Sequence, residues 1–191
     1  MKLSIIDLGS QYTHVIWRTC RDLGVESVIQ QPNASASEVD FFDAYILSGG
    51  PSSVSKLAPN QAHRLIQSTA SGQSQKPVLG ICFGHQLIAH LLGGEVARGP
   101  SAEYGVSEII VDKPVSILEG MPPKFQAWVS HFDEVKRMPD GFEALAHSST
   151  CPVEAMFHPK KPLYSVQFHP EVWHTQNGEK IIENFLKTIK S

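Results

Sequence analysis

The sequence predicts a single α/β domain in which a central, mostly parallel sheet is flanked by helices on both faces. Over residues 1–94, short apolar runs alternate with stretches of helical spacing, which is the pattern of repeated strand–helix units. After residue 94, short alternating runs are separated by proline and glycine turns, which predicts further strands, some of them antiparallel. The 191 residues, 41% of them hydrophobic, are enough to bury one core. We therefore expect one domain over residues 1–191.

The elements of the first half follow from apolar periodicity and from turn residues. Strands are predicted at residues 3–6, 25–29, 44–48 and 77–82. Helices are predicted at residues 11–23, 60–70 and 83–92. Gly24 marks the end of the first helix, and Asn60 is a suitable N-cap for the second.

The second half is predicted to be mostly strand. Strands are expected at residues 107–111, 125–129, 142–146, 153–157 and 163–168. A closing helix at residues 178–189 places these apolar residues on its buried face: Ile181, Ile182, Phe185, Leu186 and Ile189.

Composition excludes several classes of protein. The net charge of −3 gives no basic footprint for nucleic acid, and no apolar run approaches the length of a membrane span. The N-terminus becomes acidic at Asp7, too early for a signal peptide. Three widely spaced cysteines, an odd number, fit a reducing compartment without disulfides, so we expect a cytoplasmic protein. Met1 directly precedes the first strand, which favours a free-standing subunit over an excised domain.

The most informative motif is a cysteine at the junction of a strand and a helix. Cys82 ends the strand predicted at residues 77–82 and is flanked by Gly80 and Gly84. This Gly-x-nucleophile-x-Gly spacing is that of a nucleophile elbow, with sulfur in place of the serine oxygen. The free N–H groups at a helix start favour the thiolate and can bind a developing oxyanion. A lone buried cysteine is usually inert, but the glycine frame favours a nucleophile here.

A base and a carboxylate follow the last predicted strand. His169 and Glu171 lie two residues apart, so on extended chain they point the same way. With Cys82 they supply the nucleophile, base and orienting carboxylate of a catalytic triad. Residues 48–50 also follow a predicted strand. Because sites in open α/β sheets gather beyond the carboxyl ends of the strands, we expect these pieces to meet.

Three motifs together carry a family resemblance. They are SGGP at residues 48–51, LGICFGHQ at residues 79–86 and QFHPE at residues 167–171. With these motifs the chain resembles the class I, triad-type glutamine amidotransferases over nearly its whole length, which implies an α/β fold with a nucleophile elbow. Flanking segments such as IDLGSQYT at residues 6–13, AEYG at residues 102–105 and SHFD at residues 130–133 are most similar to the glutaminases of GMP synthetases.

The resemblance implies a role for each matching position. Cys82 would attack the side-chain amide of glutamine, His169 would transfer protons, and Glu171 would orient His169. The backbone N–H groups of Gly50 and Phe83 would form the oxyanion hole. The remaining matching residues would hold the α-amino and α-carboxylate groups of glutamine: Gln86, Ser130, His131 and Phe132. The chain departs from the family where Phe132 and Trp173 replace a frequent glycine and a frequent threonine.

The resemblance also implies a partner protein. GMP synthesis requires ATP to activate xanthosine 5′-phosphate (XMP), and the chain has no recognisable loop for that nucleotide. We therefore expect no cofactor in this chain, with ATP and Mg²⁺ bound by an ATP-pyrophosphatase subunit that receives the ammonia. Trp173 and His174 follow the triad carboxylate closely, so we expect them to contact that subunit and control the site.

Other interpretations are left open by the sequence. The chain also fits an amidotransferase subunit of anthranilate or carbamoyl phosphate synthesis, a Cys–His γ-glutamyl hydrolase or peptidase, or a catalytically silent subunit. The loop at residues 48–53 partly resembles a pyrophosphate-binding loop but lacks its acidic residue. No histidine spacing predicts a metal site. His85 and His90 are expected at the surface or at a partner, and Asp7 is expected to orient the turn that follows it.

Overall fold

The computed structural model describes residues 1–189, which form an α/β domain. Its strands are β1 (Lys2–Ile6), β2 (Glu26–Gln30), β3 (Ala44–Leu47), β4 (Val78–Ile81), β5 (Glu95–Val111), β6 (Lys124–Arg137), β7 (Glu143–His147), β8 (Ala155–Phe157) and β9 (Leu163–Val166). Its α-helices are α1 (Thr13–Asp22), α2 (Ala36–Val39), α3 (Gln61–Ser71), α4 (Phe83–Leu91) and α5 (Gly178–Lys187). Short 3₁₀ turns span Val54–Lys56 and Ser116–Leu118.

One mixed sheet organises the fold. Across residues 1–189, nine strands lie in the order β2-β1-β3-β4-β9-β8-β7-β5-β6. In this sheet order, β2, β1, β3, β4 and β9 are parallel to one another. The pairs β9–β8, β8–β7, β7–β5 and β5–β6 are antiparallel. Parallel strands end at the same edge of a sheet, so β3, β4 and β9 deliver residues 48–50, Cys82 and His169 to one edge. The predicted fold class is confirmed.

Two apolar clusters cover the two faces of the sheet. Alternate strand residues divide between them, as the period of two requires: Ile5 and Ile46 face one cluster, whereas Ile6 and Leu47 face the other. The first cluster includes residues of α1 and α5, and the second includes residues of α3 and α4. The parallel strands are therefore buried on both faces, which fixes the edge that carries the predicted site.

Strand length in the second half differs from the prediction. Residues 107–111 and 125–129, expected as short strands, are parts of β5 and β6, which pair along most of their length. The first part of β5 alternates between exposed and half-buried positions, so apolar periodicity does not reveal it. Backbone hydrogen bonding to β6 forms this part of the strand, with a register shift between Arg98 and Glu103.

One helix is missing from the sequence-based prediction. α2 has four residues, and a capping box of Ser35 and Glu38 starts it. Apolar periodicity cannot reveal so short a helix. None of the helices within residues 1–189 is long and apolar enough to cross a membrane.

Candidate active site

Cys82 lies at a strained bend between β4 and α4. Its backbone has φ 51° and ψ −101°, and a non-glycine residue in such a sparsely populated region costs about 1–3 kcal/mol. Its N–H donates to the carbonyl oxygen of Val166 at 2.8 Å, and its own carbonyl accepts from the N–H of Gln86 at 3.1 Å. These bonds hold the bend between β9 and the first turn of α4.

The glycines that flank Cys82 are required by close backbone approach. A Cβ on Gly80 would lie 2.5 Å from the carbonyl oxygen of Gly84, and a Cβ on Gly84 would lie 2.6 Å from that of Leu47. Side chains at these positions would separate α4 from the sheet, so only glycine lets the strand turn directly into the helix. The glycine frame seen in the sequence thus has a steric cause.

His169 and Glu171 form a buried pair beside this bend. Nδ1 of His169 donates to Oε1 of Glu171 at 2.8 Å, and both side chains are almost fully buried. The backbone of His169 is held on both sides, because its N–H donates to Trp128 O at 2.9 Å and its carbonyl accepts from Thr175 Oγ1 at 2.6 Å. With Nδ1 bound to the carboxylate, Nε2 is the nitrogen available to Cys82.

Opposing effects set the charge of His169. Burial disfavours the imidazolium, but the negative charges of Glu171 and of a Cys82 thiolate, with hydrogen bonds to both, outweigh it. Together they raise the pKa of His169 well above its usual value of 6.5. An imidazolium is thus favoured next to the sulfur of Cys82, and a positively charged imidazole is the neighbour that activates a cysteine nucleophile.

A cavity of about 550 Å³ opens above the triad. Cys82 and His169 reach its wall. The other lining residues expected from the sequence are Gly50, Gln86, Ser130, His131 and Phe132. The cavity is thus large enough for a small amino acid, and its wall brings together a thiol, a paired imidazole and several polar side chains.

A comparison with protein-family models decides the family. Residues 4–189 match the model described as "Glutamine amidotransferase class-I". The chain belongs to this family. Archaeal proteins named as subunits of "GMP synthase [glutamine-hydrolyzing]" are similar to it. The one from Pyrococcus abyssi is 45% identical over 96% of both chains, and the one from Archaeoglobus fulgidus is 38% identical over 100% of both.

Solved structures agree with the family. A crystal structure from Thermoplasma acidophilum, described as a GMP synthase subunit, has a TM-score of 0.88 at 35% identity and covers 99% of this chain and 94% of its own. A glutamine amidotransferase from Thermotoga maritima shares the fold at 18% identity, with a TM-score of 0.75 over 98% of this chain and 81% of its own.

The loop after β3 lies directly against Cys82. A Cβ on Gly49 would lie 3.6 Å from Cys82 Cβ, and a Cβ on Gly50 would lie 2.5 Å from the carbonyl oxygen of Leu8. Gly50 lines the cavity, whereas the side chain of Phe83 is buried in an apolar cluster and is absent from the lining. Phe83 can therefore contribute to an oxyanion hole through its N–H at the start of α4, as the sequence predicts for this pair.

The four residues predicted to bind glutamine have different environments. Nε2 of Gln86 donates to Asp133 O at 2.7 Å. Ser130 offers its carbonyl oxygen to Cys82 Sγ at 3.8 Å. His131 is buried, with Nε2 2.9 Å from a carboxylate oxygen of Glu103. These three lie deep in the cavity, whereas Phe132 is exposed at its rim, with Arg98 5.3 Å from its ring. Their contacts with glutamine remain a prediction.

Trp173 and His174 lie beside the site but outside the cavity lining. Trp173 is 85% exposed, and its ring centroid lies 3.6 Å from that of His174. His174 stacks in turn on Trp128 at 4.7 Å, and the carbonyl of Trp128 accepts the N–H of His169. An exposed aromatic surface is thus joined through Trp128 to the backbone of His169, while its contact with a partner stays a prediction.

Two secondary predictions have opposite outcomes. Asp7 orients the turn after β1, as expected, because its carboxylate accepts from Gly9 N at 3.0 Å and Thr13 Oγ1 at 2.8 Å. The surface position predicted for His85 is wrong. It is fully buried, with Nδ1 2.8 Å from Ser165 Oγ, and burial lowers its pKa to about 3. Its place on α4 faces the sheet, whereas His90 is exposed.

Two residues of the site were not identified from the sequence. Tyr12 lines the cavity, and its ring meets that of His169 edge-on at 5.0 Å. Gln167 is buried, with Nε2 3.7 Å from Cys82 Sγ. Both belong to segments that carry the family resemblance, so their position beside the motifs was the available signal. Neither has a spacing that indicates chemistry by itself.

A possible metal-binding group lies outside the cavity lining. Among the described residues, Glu103, Cys151 and Glu154 place one potential ligand atom each within 4.8 Å of one another. Burial, followed by the charge of Glu154, raises the pKa of the Cys151 thiol, which disfavours the thiolate that binds metals. The expectation of a chain without a metal ion stays a prediction.

Proposed function

We propose that this chain is the glutaminase subunit of a GMP synthetase. It hydrolyses glutamine through a Cys82 thioester and supplies ammonia to a partner that converts XMP to GMP. The observation that carries the proposal is the convergence of Cys82 and His169 at one cavity, with Glu171 bonded to His169. The archaeal relatives, which match over nearly their whole length, are named as subunits of a glutamine-hydrolysing GMP synthase, and this favours GMP over other acceptor pathways.

The chemistry follows from the arrangement of the site. The Cys82 thiolate attacks the side-chain amide carbon of glutamine, and the N–H groups of Gly50 and Phe83 stabilise the oxyanion. His169 gives its proton to the departing nitrogen, so the C–N bond breaks and ammonia leaves. His169 then takes a proton from water, which attacks the thioester. Glutamate departs and the thiolate is restored, while Glu171 keeps the imidazole oriented throughout.

The proposed partner is an ATP-pyrophosphatase subunit that binds ATP and Mg²⁺. The relatives are named as one lettered subunit of their synthase, which supports the presence of a second. The exposed aromatic surface at Trp173 and His174 is the proposed contact, because it leads through Trp128 to the backbone of His169. The three free cysteines agree with a cytoplasmic location.

Reconstitution with that partner tests the proposal. Purified chain and ATP-pyrophosphatase subunit should form GMP from XMP, ATP, Mg²⁺ and glutamine, while the partner alone should do so only with ammonia. Assays with chorismate, or with bicarbonate and ATP, and the matching synthase subunits cover the alternative acceptors. Glutamine-dependent activity with one of these, and none with XMP, would replace the proposal.

Control of the glutaminase by the loaded partner is expected on the same grounds. A displacement of about 1 Å at a catalytic group costs about 10²-fold, so a contact at Trp173 can hold or release His169. Glutaminase activity should be low in the isolated chain and should rise when the partner holds ATP and XMP. Trp173→Ala should weaken this rise more than it changes basal turnover. An isolated chain with full activity, unaltered by the partner, would rule out such control.

A further inference from the structure

Gln167 lies between two residues of the proposed active site without reaching the cavity lining. It follows β9 directly and is fully buried. Its backbone N–H is anchored by Glu154 O at 2.7 Å. Its side-chain amide contacts Gln86 on one side and Cys82 on the other. A buried amide in such a position needs partners for both its oxygen and its nitrogen.

The orientation of both amides follows from one backbone carbonyl. Asp133 O can only accept, so Gln86 must present its NH₂ group there, at 2.7 Å. The second N–H of this group then points to Gln167 Oε1 at 3.2 Å. Gln167 has its oxygen committed to Gln86, so its NH₂ group must face Cys82 Sγ, at 3.7 Å. Reversing Gln86 would place two acceptors against each other at Asp133 O, and reversing Gln167 would turn its NH₂ group against that of Gln86.

The sulfur of Cys82 consequently has a different partner in each protonation state. As a thiol it donates to Ser130 O, 3.8 Å away. As a thiolate it can only accept, and Gln167 is positioned to donate to it. A hydrogen bond to the charged form of a group favours that form. Gln167 therefore favours the thiolate in addition to the effect of His169.

We infer that Gln167 is a positioning residue that stabilises the Cys82 thiolate and couples it to Gln86. Both N–H groups of Gln86 donate to acceptors within the protein. Its Oε1 therefore remains to accept a hydrogen bond from a ligand in the cavity. That matches the predicted grip on the α-amino group of glutamine. The inference rests on the assignment of Cys82 as the nucleophile in the proposed function, and it extends that site by a residue that does not touch substrate.

The test measures the reactivity of the thiol and does not need the partner or the acceptor. The rate of alkylation of Cys82 by iodoacetamide is followed against pH, with mass spectrometry reading each cysteine. Gln167→Met keeps the length of the side chain but removes the donor, so the pH midpoint should rise by about one unit, a tenfold loss of thiolate at low pH. Gln167→Glu places a carboxylate beside the sulfur, so its midpoint should rise further.

Ser165→Ala is the matched control. Ser165 is also buried on the same stretch of chain and bonds His85, so its replacement perturbs the interior without removing a contact with Cys82. Its midpoint should equal that of the wild type. Glutaminase kinetics should show a fall in kcat for Gln167→Met that exceeds its change in KM. Unchanged midpoints in both Gln167 variants would overturn the inference.

A measurement on the wild type covers the case in which the variants fail to fold. The side-chain NH₂ resonances of Gln167 should shift with pH at the same midpoint as the alkylation of Cys82. They should lose this shift after Cys82→Ala. Resonances that do not respond to ionisation of Cys82 would show that the amide does not donate to the thiolate. If these Gln167 results are obtained but the wild-type chain with its partner forms no GMP from XMP, the proposed acceptor is rejected. The role of Gln167 then still stands.

Discussion

Cys82 and Cys151 are both buried thiols, yet their surroundings give them opposite chemistry. Cys82 faces His169 and the amide of Gln167 and opens on the cavity. Cys151 is closed off, and its neighbours Glu154 and Glu103 are acids, so burial and then negative charge raise the pKa of its thiol. For Cys20, burial outweighs a backbone hydrogen bond and raises the pKa of the thiol to about 12. Access to the cavity and a neighbouring base thus distinguish Cys82 from the two thiols that are sealed in the interior.

The carboxylates beside the two thiols differ in the same way. Glu171 is paired with His169 through a 2.8 Å hydrogen bond. Neither oxygen of Glu154 has a hydrogen-bond partner among the described residues. Burial, followed by the charge of Glu103, raises the pKa of Glu154 to about 8. Glu171 is thus paired with an imidazole, whereas the burial of Glu154 favours its protonated form.

Replacing the cysteines one at a time should give the largest contrast. Cys82→Ala should abolish glutamine hydrolysis, because the site then has no nucleophile, and should leave ammonia-dependent GMP formation by the assembled enzyme intact. Cys20→Ala and Cys151→Ala should retain turnover per folded molecule. Glutamate release, normalised to folded protein, is the measurement. Loss of activity in Cys151→Ala at an unchanged melting temperature would show that Cys151 is not an inert thiol.

Removing the base should cost more than removing its carboxylate. His169→Ala eliminates the proton shuttle for attack and for departure, so kcat should fall by about 10²–10⁴-fold. Glu171→Ala leaves an imidazole that is misaligned but present, so its loss should be smaller. Steady-state glutamine hydrolysis by the two variants, each checked for folding, measures the difference. A Glu171→Ala variant as active as the wild type would exclude this carboxylate from the triad.

The smallest expected effect is on protein stability, and it concerns Glu154, which lies beside Cys151. Glu154 has a folded-state pKa of about 8, above the ordinary 4.5, so the folded protein holds a proton that the unfolded chain releases. This contribution to stability is complete below pH 4.5 and is lost as the pH rises to about 8. Its size is on the order of a few kcal/mol.

Glu154→Gln should make the decline of stability with pH shallower. Glutamine keeps the size of the side chain and does not titrate, so the variant should lose less unfolding free energy than the wild type between about pH 5 and pH 9. Denaturant unfolding at several pH values measures this, with Glu143→Gln, at an exposed ion pair, as the control. Parallel pH profiles of wild type and Glu154→Gln would show that Glu154 carries no buried proton.

The surroundings of Cys82 could be predicted from the sequence, whereas those of Cys151 could not. Cys82, His169 and Glu171 lie in motifs with fixed spacing at strand ends, so topology brings them together. Glu103 and Glu154 carry no such spacing. Their meeting depends on how β5 lies beside the loop before β8, and the extent of β5 is hidden because its exposed part lacks apolar alternation.

The same limit applies to single side chains. The burial of His85 depends on which face of α4 meets the sheet, and a helix that is apolar nearly all round does not reveal that face. The contact of Gln167 with Cys82 depends on a side chain at the end of β9 reaching across to the elbow. Contacts of this kind require the packed structure, whereas the order of strands and the triad do not.

Labelling by a glutamine-like electrophile distinguishes Cys82 from the other two thiols. We expect Cys82 alone among the three thiols to be the nucleophile for glutamine. Incubation of the folded chain with 6-diazo-5-oxonorleucine, followed by peptide mass spectrometry, should add one label, at Cys82, and excess glutamine should slow its addition. A label at Cys20 or Cys151, or labelling of Cys82 that glutamine does not slow, would contradict the account.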